Sequence, residues 1–291
     1  MRKEEQLRAD IVEVGRRLYS RAYVASNDGN ISVRLSDDRL LTTPAGVSKG
    51  FMTSDMIVVT DLEGRKVGGE RDPSSELLMH IAVYQNRLDV MAVVHAHPPA
   101  ATGFAVAGIP LDRAVLAEVV TTLGSIPIVE YGTPSTSELA DAVRKYIRAH
   151  DGLLLANHGA LTAADDVFAA YYKMETIEHF ARISLVARLL GGERMLSREE
   201  VNRLQDLRGM YGIASPAQIC TVNGDRQTEA TRGDQEDVTC QNLQAPSSPQ
   251  DRLVSAPALP PDLVALGKDG EIRLTYGELT ALIEDAVKQL R

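Results

Sequence analysis

Four apolar residues, Met91-Ala92-Val93-Val94, run into His95-Ala96-His97 and stop at Pro98-Pro99. A short apolar run with two valines predicts a buried strand. Side chains alternate across a strand, so His95 and His97 point the same way. Two imidazoles on one face, at the end of a buried strand, make half of a metal site. A zinc site that does chemistry uses three protein ligands and keeps one position open. The stretch therefore asks the rest of the chain for a third ligand and a nearby carboxylate. The alternative is a hydrogen-bonded histidine pair closing a strand, and His-x-His alone does not decide between the two.

A buried strand needs a sheet and covering helices, and 291 residues suffice for one full α/β domain with extra segments. The hydrophobic and charged fractions, 44% and 24%, are those of a soluble globular chain. A formal net charge of −9 argues against nucleic acid or an anionic membrane surface as partner. No apolar run approaches the ~20 residues of a membrane span. The start, Met1-Arg2-Lys3-Glu4-Glu5, has no signal-peptide core, so the expected location is cytoplasmic. Cys220 and Cys240 lie in polar surroundings without metal-type spacing, which suits a reducing cytosol.

The chain divides near residue 214. Residues 1–214 alternate apolar periodic segments with Gly-rich turns and read as one globular domain, the one that carries the candidate metal site. From Ser215 to Pro261 the sequence is rich in Gln, Asp, Ser, Thr, Pro and Gly, the composition of a flexible linker. Order returns near Leu263, so 262–291 is a separate helical segment.

Within the first part, Leu7, Ile11, Val14 and Leu18 recur at helical spacing. Ile31 to Leu35, Leu40 to Thr43 and Met56 to Thr60 read as strands joined by short turns, so this part of the sheet is expected to be antiparallel. Pro73-Ser74-Ser75-Glu76 opens a helix that continues through Tyr84. Its serines cap free N–H groups and make the N-terminus a ready anion site. Glu76 in that first turn is by itself an ordinary helix-dipole carboxylate. A small-residue helix, Ala100 to Ala107, follows the histidine strand, and Ile126 to Val129 is a further short strand. Ser137 to Arg148, Asp165 to Leu190 and Arg198 to Met210 read as helices. Gly152-Leu153-Leu154-Leu155-Ala156 is a buried strand ending in Asn157-His158-Gly159. A third histidine thus also stands at a strand end, where adjacent strands can bring it to His95 and His97. His80, His150 and His179 lie in or beside helices and read as structural or surface residues.

These motifs stand in one order: Gly29-Asn30-Ile31-Ser32, Thr43-Pro44-Ala45-Gly46, Pro73-Ser74-Ser75-Glu76, His95-Ala96-His97 and Asn157-His158-Gly159. Together they resemble the class II aldolase/adducin family over about residues 3–213. Within that family the pattern is most similar to members that cleave L-fuculose 1-phosphate. The resemblance implies an α/β fold, a mixed sheet sandwiched by helices, here with the linker and C-terminal helix added. It implies one Zn2+ per subunit on His95, His97 and His158, with Glu76 as catalytic acid/base. It implies a phosphate cradle of Asn27, Gly29, Asn30, Gly46, Ser74 and Ser75. The implied partner is a phosphorylated sugar, and the implied assembly a homotetramer with sites between subunits.

The reaction so implied is aldol cleavage of a 1-phosphoketose, of the L-fuculose or L-rhamnulose 1-phosphate type, to dihydroxyacetone phosphate and lactaldehyde. Members of the family also epimerise pentulose 5-phosphates, dehydrate methylthioribulose 1-phosphate and decarboxylate oxo-acid phosphates with the same metal set. An adducin-like binding module needs no catalysis, and the three histidines with Glu76 speak against it. The chain departs from the fuculose-type pattern at three places. Asn27 replaces a threonine and Ala45 a hydroxyl residue. The stretch Ala114 to Glu118 also lacks the family tyrosine that donates a proton to the aldehyde. A second family tyrosine is matched by Tyr211, which the resemblance makes catalytic.

At the end of the chain, Thr275 and Glu278 have capping-box spacing. Leu279, Leu282, Ile283, Ala286, Val287 and Leu290 then form one apolar stripe. A helix this short needs a partner for its stripe. A linker followed by such a helix resembles the encapsulation peptides that load enzymes into bacterial microcompartments. The expected partner is then a shell protein engaged through 262–291, and the alternative is docking on the enzyme's own tetramer.

Overall fold

The computed structural model describes residues 4–210 and two short strands, Gln218–Cys220 and Cys240–Asn242, which pair in parallel. Tyr211, most of the linker and the segment 262–291 lie outside the described residues.

Eight strands form one mixed sheet. In chain order they are β1 (Asn30–Ser36), β2 (Arg39–Thr42), β3 (Val58–Asp61), β4 (Lys66–Gly68), β5 (Ala92–Ala96), β6 (Ile128–Val129), β7 (Gly152–Leu155) and β8 (Gly159–Ala164). Their spatial order is β4-β3-β2-β1-β5-β8-β7-β6. All neighbours are antiparallel except β6 and β7. The antiparallel meander expected for the first three strands is present. The third begins two residues later than its apolar run suggests, because Ser54–Met56 forms a short helical turn.

Helices cover both faces. On one lie α2 (Leu77–Asn86) and α5 (Ser137–Tyr146). Met79, Val83, Leu139 and Val143 from these helices share a core with Leu40, Val93, Leu153 and Leu161 from the sheet. On the other face lie α1 (Glu4–Ser20), α3 (Pro99–Val106) and α6 (Val167–Leu189). Of the expected apolar stripe of α1, Leu7 is half-buried and Ile11, Val14 and Leu18 are fully buried. Each such side chain contributes roughly 1.5–3 kcal/mol on burial. Two further helices, α4 (Ala117–Thr122) and α7 (Arg198–Met210), pack on each other. Asp166 caps α6 by accepting from Phe168 and Ala169 N–H at 2.7 and 2.9 Å. No helix among the described residues is long and apolar enough to cross a membrane.

The polar face of β1 does not meet water, although Ser32 and Arg34 alternate with Ile31, Val33 and Leu35 in a pattern that suggests it. Asn30, Ser32 and Arg34 are all buried against α2. Ser32 Oγ hydrogen-bonds His80 Nδ1 at 2.7 Å and Tyr84 Oη at 2.9 Å. Arg34 donates to the Tyr84 carbonyl at 3.0 Å and stacks on its ring. Glu76, His80 and Tyr84 recur every four residues, so one side of α2 is a polar seam leading to the histidine strand end. His80 is thus structural, as expected. Its burial lowers its pKa to about 4, so the ring stays neutral. His150 is buried against the Ser125 carbonyl and His179 is exposed.

Candidate active site

His95 is the fully buried penultimate residue of β5, and His97 is the first residue beyond the strand. The chain turns at once into α3. The buried Glu178 carboxylate accepts the free N–H groups of Ala100 and Ala101 at 3.2 and 2.9 Å, which fixes that turn. His158 arrives by a different route. Its strand β7 is not beside β5; β8 lies between them. His158 sits in the β7–β8 hairpin, and β8 pairs with β5 with Leu161 opposite His95 and Ala160 opposite Ala96. The hairpin turn needs Asn157 at φ +55°. It also needs a glycine at position 159, because a Cβ there would lie 2.5 Å from the Ala96 oxygen and 2.6 Å from His97 Cδ2.

The three rings meet with centroids 4.7–5.0 Å apart, and a ligand atom from each lies within 4.8 Å of the others. His95 Nδ1 is 2.9 Å from the Ala160 carbonyl, which only accepts, so the proton is on Nδ1 and Nε2 carries a lone pair. His97 Nδ1 faces Asp28 Oδ2 at 3.5 Å, which favours the same tautomer. The two Nε2 atoms then confront each other at 3.1 Å. Two lone pairs at that distance repel, and a cation between them turns the repulsion into attraction. Burial is the main cause that keeps His95 and His97 below their ordinary pKa, and neutral imidazole is the ligand form. The residues present fit a metal ion.

Glu76 lies beside this triad. The helix α2 begins one residue later than the sequence suggests, at Leu77, and Glu76 occupies its cap position with no capping side-chain bond. Ser74 Oγ instead accepts the Glu76 N–H at 3.3 Å and shapes the turn before the helix. The carboxylate reaches His158 Nε2 at 3.1 Å and His95 Nε2 at 3.5 Å, and accepts from Asn30 Nδ2 at 2.8 Å. Burial alone would raise its pKa. The His158 hydrogen bond, the facing imidazoles and Asn30 outweigh burial and hold it well below the usual carboxylate range.

All six residues expected in the cradle line one cavity of about 260 Å³ together with Glu76, His97 and His158. Three segments are tied to make its wall. Thr43 N–H donates to the Ile31 carbonyl at 3.0 Å, Ala45 N–H to Asp72 at 3.0 Å, and Ser74 N–H to Thr43 at 3.1 Å. Gly29 and Gly46 have φ of +71° and +67°, a conformation that favours glycine. Asn30 has a double role, since its amide nitrogen holds Glu76 while its oxygen is buried without a partner among the described residues.

Lys49, Asp28 and Ser135 line the same cavity and were not singled out from the sequence. Asp28 had a signal, being enclosed by Asn27, Gly29 and Asn30. Lys49 follows Gly46 by three residues in a stretch with no pattern of its own. Ser135 comes from a distant turn and has φ +66°. Ala45 brings no hydroxyl to the wall, and no tyrosine among the described residues lines it. Leu116 and Glu118, in the stretch without the family tyrosine, line a different cavity with Tyr23 and Tyr172.

A family profile described as Class II Aldolase and Adducin N-terminal domain matches residues 9–185. The chain belongs to the class II aldolase/adducin family. An L-fuculose phosphate aldolase of Methanococcus maripaludis is 35% identical over 61% of this chain and 95% of that protein. A 3-oxo-tetronate 4-phosphate decarboxylase of Haemophilus influenzae is 30% identical over 67% of this chain and 94% of its own. Among solved structures, an L-fuculose 1-phosphate aldolase superposes with a TM-score of 0.65 at 32% identity, covering 69% of this chain and 95% of that one. This class II aldolase-type chain is therefore an enzyme, a metal-dependent lyase built on the family's sheet.

Proposed function

We propose that the enzyme catalyses reversible aldol cleavage of a 1-phosphoketose, of the L-fuculose or L-rhamnulose 1-phosphate type, to dihydroxyacetone phosphate and lactaldehyde. The observation that carries the reading is Glu76, which borders the histidine triad and the Ser74–Ser75 wall of the same cavity. His95, His97 and His158 hold one metal ion, proposed to be Zn2+. Such an ion supplies Lewis-acid polarisation of the substrate carbonyl and hydroxyl. Asn27, Gly29, Asn30, Gly46, Ser74 and Ser75 hold the phosphate and fix the reacting carbon beside Glu76. In the addition direction ionised Glu76 takes a proton from the carbon next to the carbonyl; in cleavage it returns that proton. Tyr211 is proposed to serve the aldehyde oxygen.

One rival has support of its own, because the Haemophilus relative is named a decarboxylase. Loss of carbon dioxide also leaves an electron pair beside a carbonyl, and Glu76 would protonate it in the same way. Product analysis with L-fuculose 1-phosphate, L-rhamnulose 1-phosphate, ribulose 5-phosphate, methylthioribulose 1-phosphate and 3-oxo-tetronate 4-phosphate separates the readings. Dihydroxyacetone phosphate from either of the first two is expected; carbon dioxide from the last alone would replace the aldolase reading.

The proposal extends to a homotetramer and to a microcompartment shell protein bound through 262–291, supported by the family resemblance and by the apolar stripe of that segment. Shell protein should co-purify with the full chain and not with a chain ending at 261, at unchanged turnover. Unfolding or dissociation of the shortened chain would make the segment part of the core instead.

A further inference from the structure

Lys49 sits in a helical turn, Lys49–Phe51, with α1 packed behind it through Gly15. Its side chain is only 2% exposed, yet it lines the cavity. The ammonium donates to the Asn27 carbonyl at 2.9 Å and the Val47 carbonyl at 2.6 Å. These carbonyls belong to the two loops that carry Asn27, Gly29 and Gly46. An ammonium has three donors, so two hydrogen bonds leave one N–H. Apart from the imidazoles, no other basic side chain lines the cavity among the described residues. The other cradle groups are neutral amides, hydroxyls and backbone.

We propose that Lys49 determines the specificity of this cavity for a phosphate dianion, its buried ammonium supplying the positive charge while it ties the two loops of the cradle together. The proposal rests on the phosphate reading of the cavity given above. Its physical basis is an imbalance. Burying an ammonium against carbonyls alone is costly, because carbonyl dipoles do not neutralise a charge. Burial is the main cause that lowers the Lys49 pKa, to about 8, and the nearby Asp28 and Glu76 carboxylates offset only part of it. A dianion in the cradle restores the balance. By linkage it raises the affinity of Lys49 for its proton, and protonation of Lys49 tightens the anion in the same measure.

The groups facing Lys49 are Asp28 on the turn before β1, Glu76 at the head of α2, and His97 and His158 across the cavity. From α1, Tyr19 packs against the adjoining Gly50. Carboxylates and imidazoles ordinarily finish titrating below pH 7.5. Inorganic phosphate only gains negative charge between pH 7.5 and 9.5, so it does not itself weaken over that interval.

The test is calorimetric binding of inorganic phosphate to the metal-loaded full chain at pH 7.5, 8.5 and 9.5. Wild type is compared with Lys49→Gln, which keeps donors for the two carbonyls but has no charge. At pH 7.5 Lys49→Gln should bind about 10- to 100-fold more weakly, the range of a charge-assisted hydrogen bond. The ratio should shrink toward one by pH 9.5, as wild type loses its own charge. Lys49→Met, without any donor, should behave alike and serves if the glutamine variant does not fold. Equal binding by wild type and the neutral variant at pH 7.5, or a ratio that does not change with pH, would reduce Lys49 to a loop clamp and overturn the proposal. Absence of phosphate binding by wild type at every pH would overturn the phosphate reading itself, and the Lys49 proposal with it.

Discussion

Replacing His97 by Ala should strip the enzyme of its metal ion and of its turnover while leaving the fold in place. The expected loss is large because the removed group is a ligand. Loss of an outer partner of a ligand already costs about 10- to 100-fold in metal affinity, and loss of the ligand itself should exceed that. His97 is the cleanest of the three to change. Its side chain is 26% exposed, and the backbone N–H that anchors it to the Tyr23 carbonyl at 2.8 Å does not depend on the side chain. His95 is a worse probe, since its ring is fully buried and satisfies the Ala160 carbonyl. Metal content by atomic emission, turnover, and circular dichroism of the purified variant check the prediction together. Stoichiometric metal with full activity in His97→Ala would refute the triad.

The site was more legible than the scaffold that assembles it. His95 and His97 follow from the two-residue period of a strand, and that period survives whatever packs around it. His158 reads from its own segment as a strand-end histidine, and becomes a ligand only through the family motif Asn157-His158-Gly159. What brings it to the others is β8, Gly159-Ala160-Leu161-Thr162-Ala163-Ala164, whose sequence carries no strand pattern. Apart from Leu161 its residues are small, and they show no alternation because β8 is buried on both faces. Small side chains here let α6 approach closely, with Thr162 Oγ donating to the Ala170 carbonyl at 2.8 Å. The alternation of β1 predicts a strand, but it says nothing about what covers the polar face, which is α2. Lys49 left no trace in the sequence because its role comes from burial between two loops that only the fold brings together. Glu76 shows the converse case. Its place in the chain alone fits an ordinary helix-dipole carboxylate; the family motif singles it out, and the His158 and Asn30 contacts show what surrounds it.

Changing Glu76 to Gln should leave metal and phosphate binding intact and remove the proton chemistry. The two side chains have the same shape, and the glutamine oxygen can still accept the hydrogen bond that Asn30 Nδ2 gives to Oε2 at 2.8 Å. The amide cannot take a proton from carbon or return one. Loss of a positioned acid/base group costs typically about 10²- to 10⁴-fold, and the carboxylate here is suited to the task in two ways. It is ionised in the resting site, held below its ordinary range against the opposing effect of burial. It also lies at the border between the metal ligands and the cradle, so a substrate held at both ends has its reacting carbon beside it. Exchange of dihydroxyacetone phosphate hydrogen with deuterated solvent isolates this step, because it needs neither the aldehyde nor Tyr211. Nuclear magnetic resonance should show exchange in the wild-type enzyme and a rate lower by at least about 10²-fold in Glu76→Gln. Metal content should be unchanged in that variant. Charge repulsion between Glu76 and a bound dianion disappears with the substitution, so phosphate affinity should hold or rise slightly. That separates loss of chemistry from loss of binding. An exchange rate equal to wild type, with metal and phosphate bound, would assign the proton transfer to another group and leave Glu76 as a positioning contact for His158.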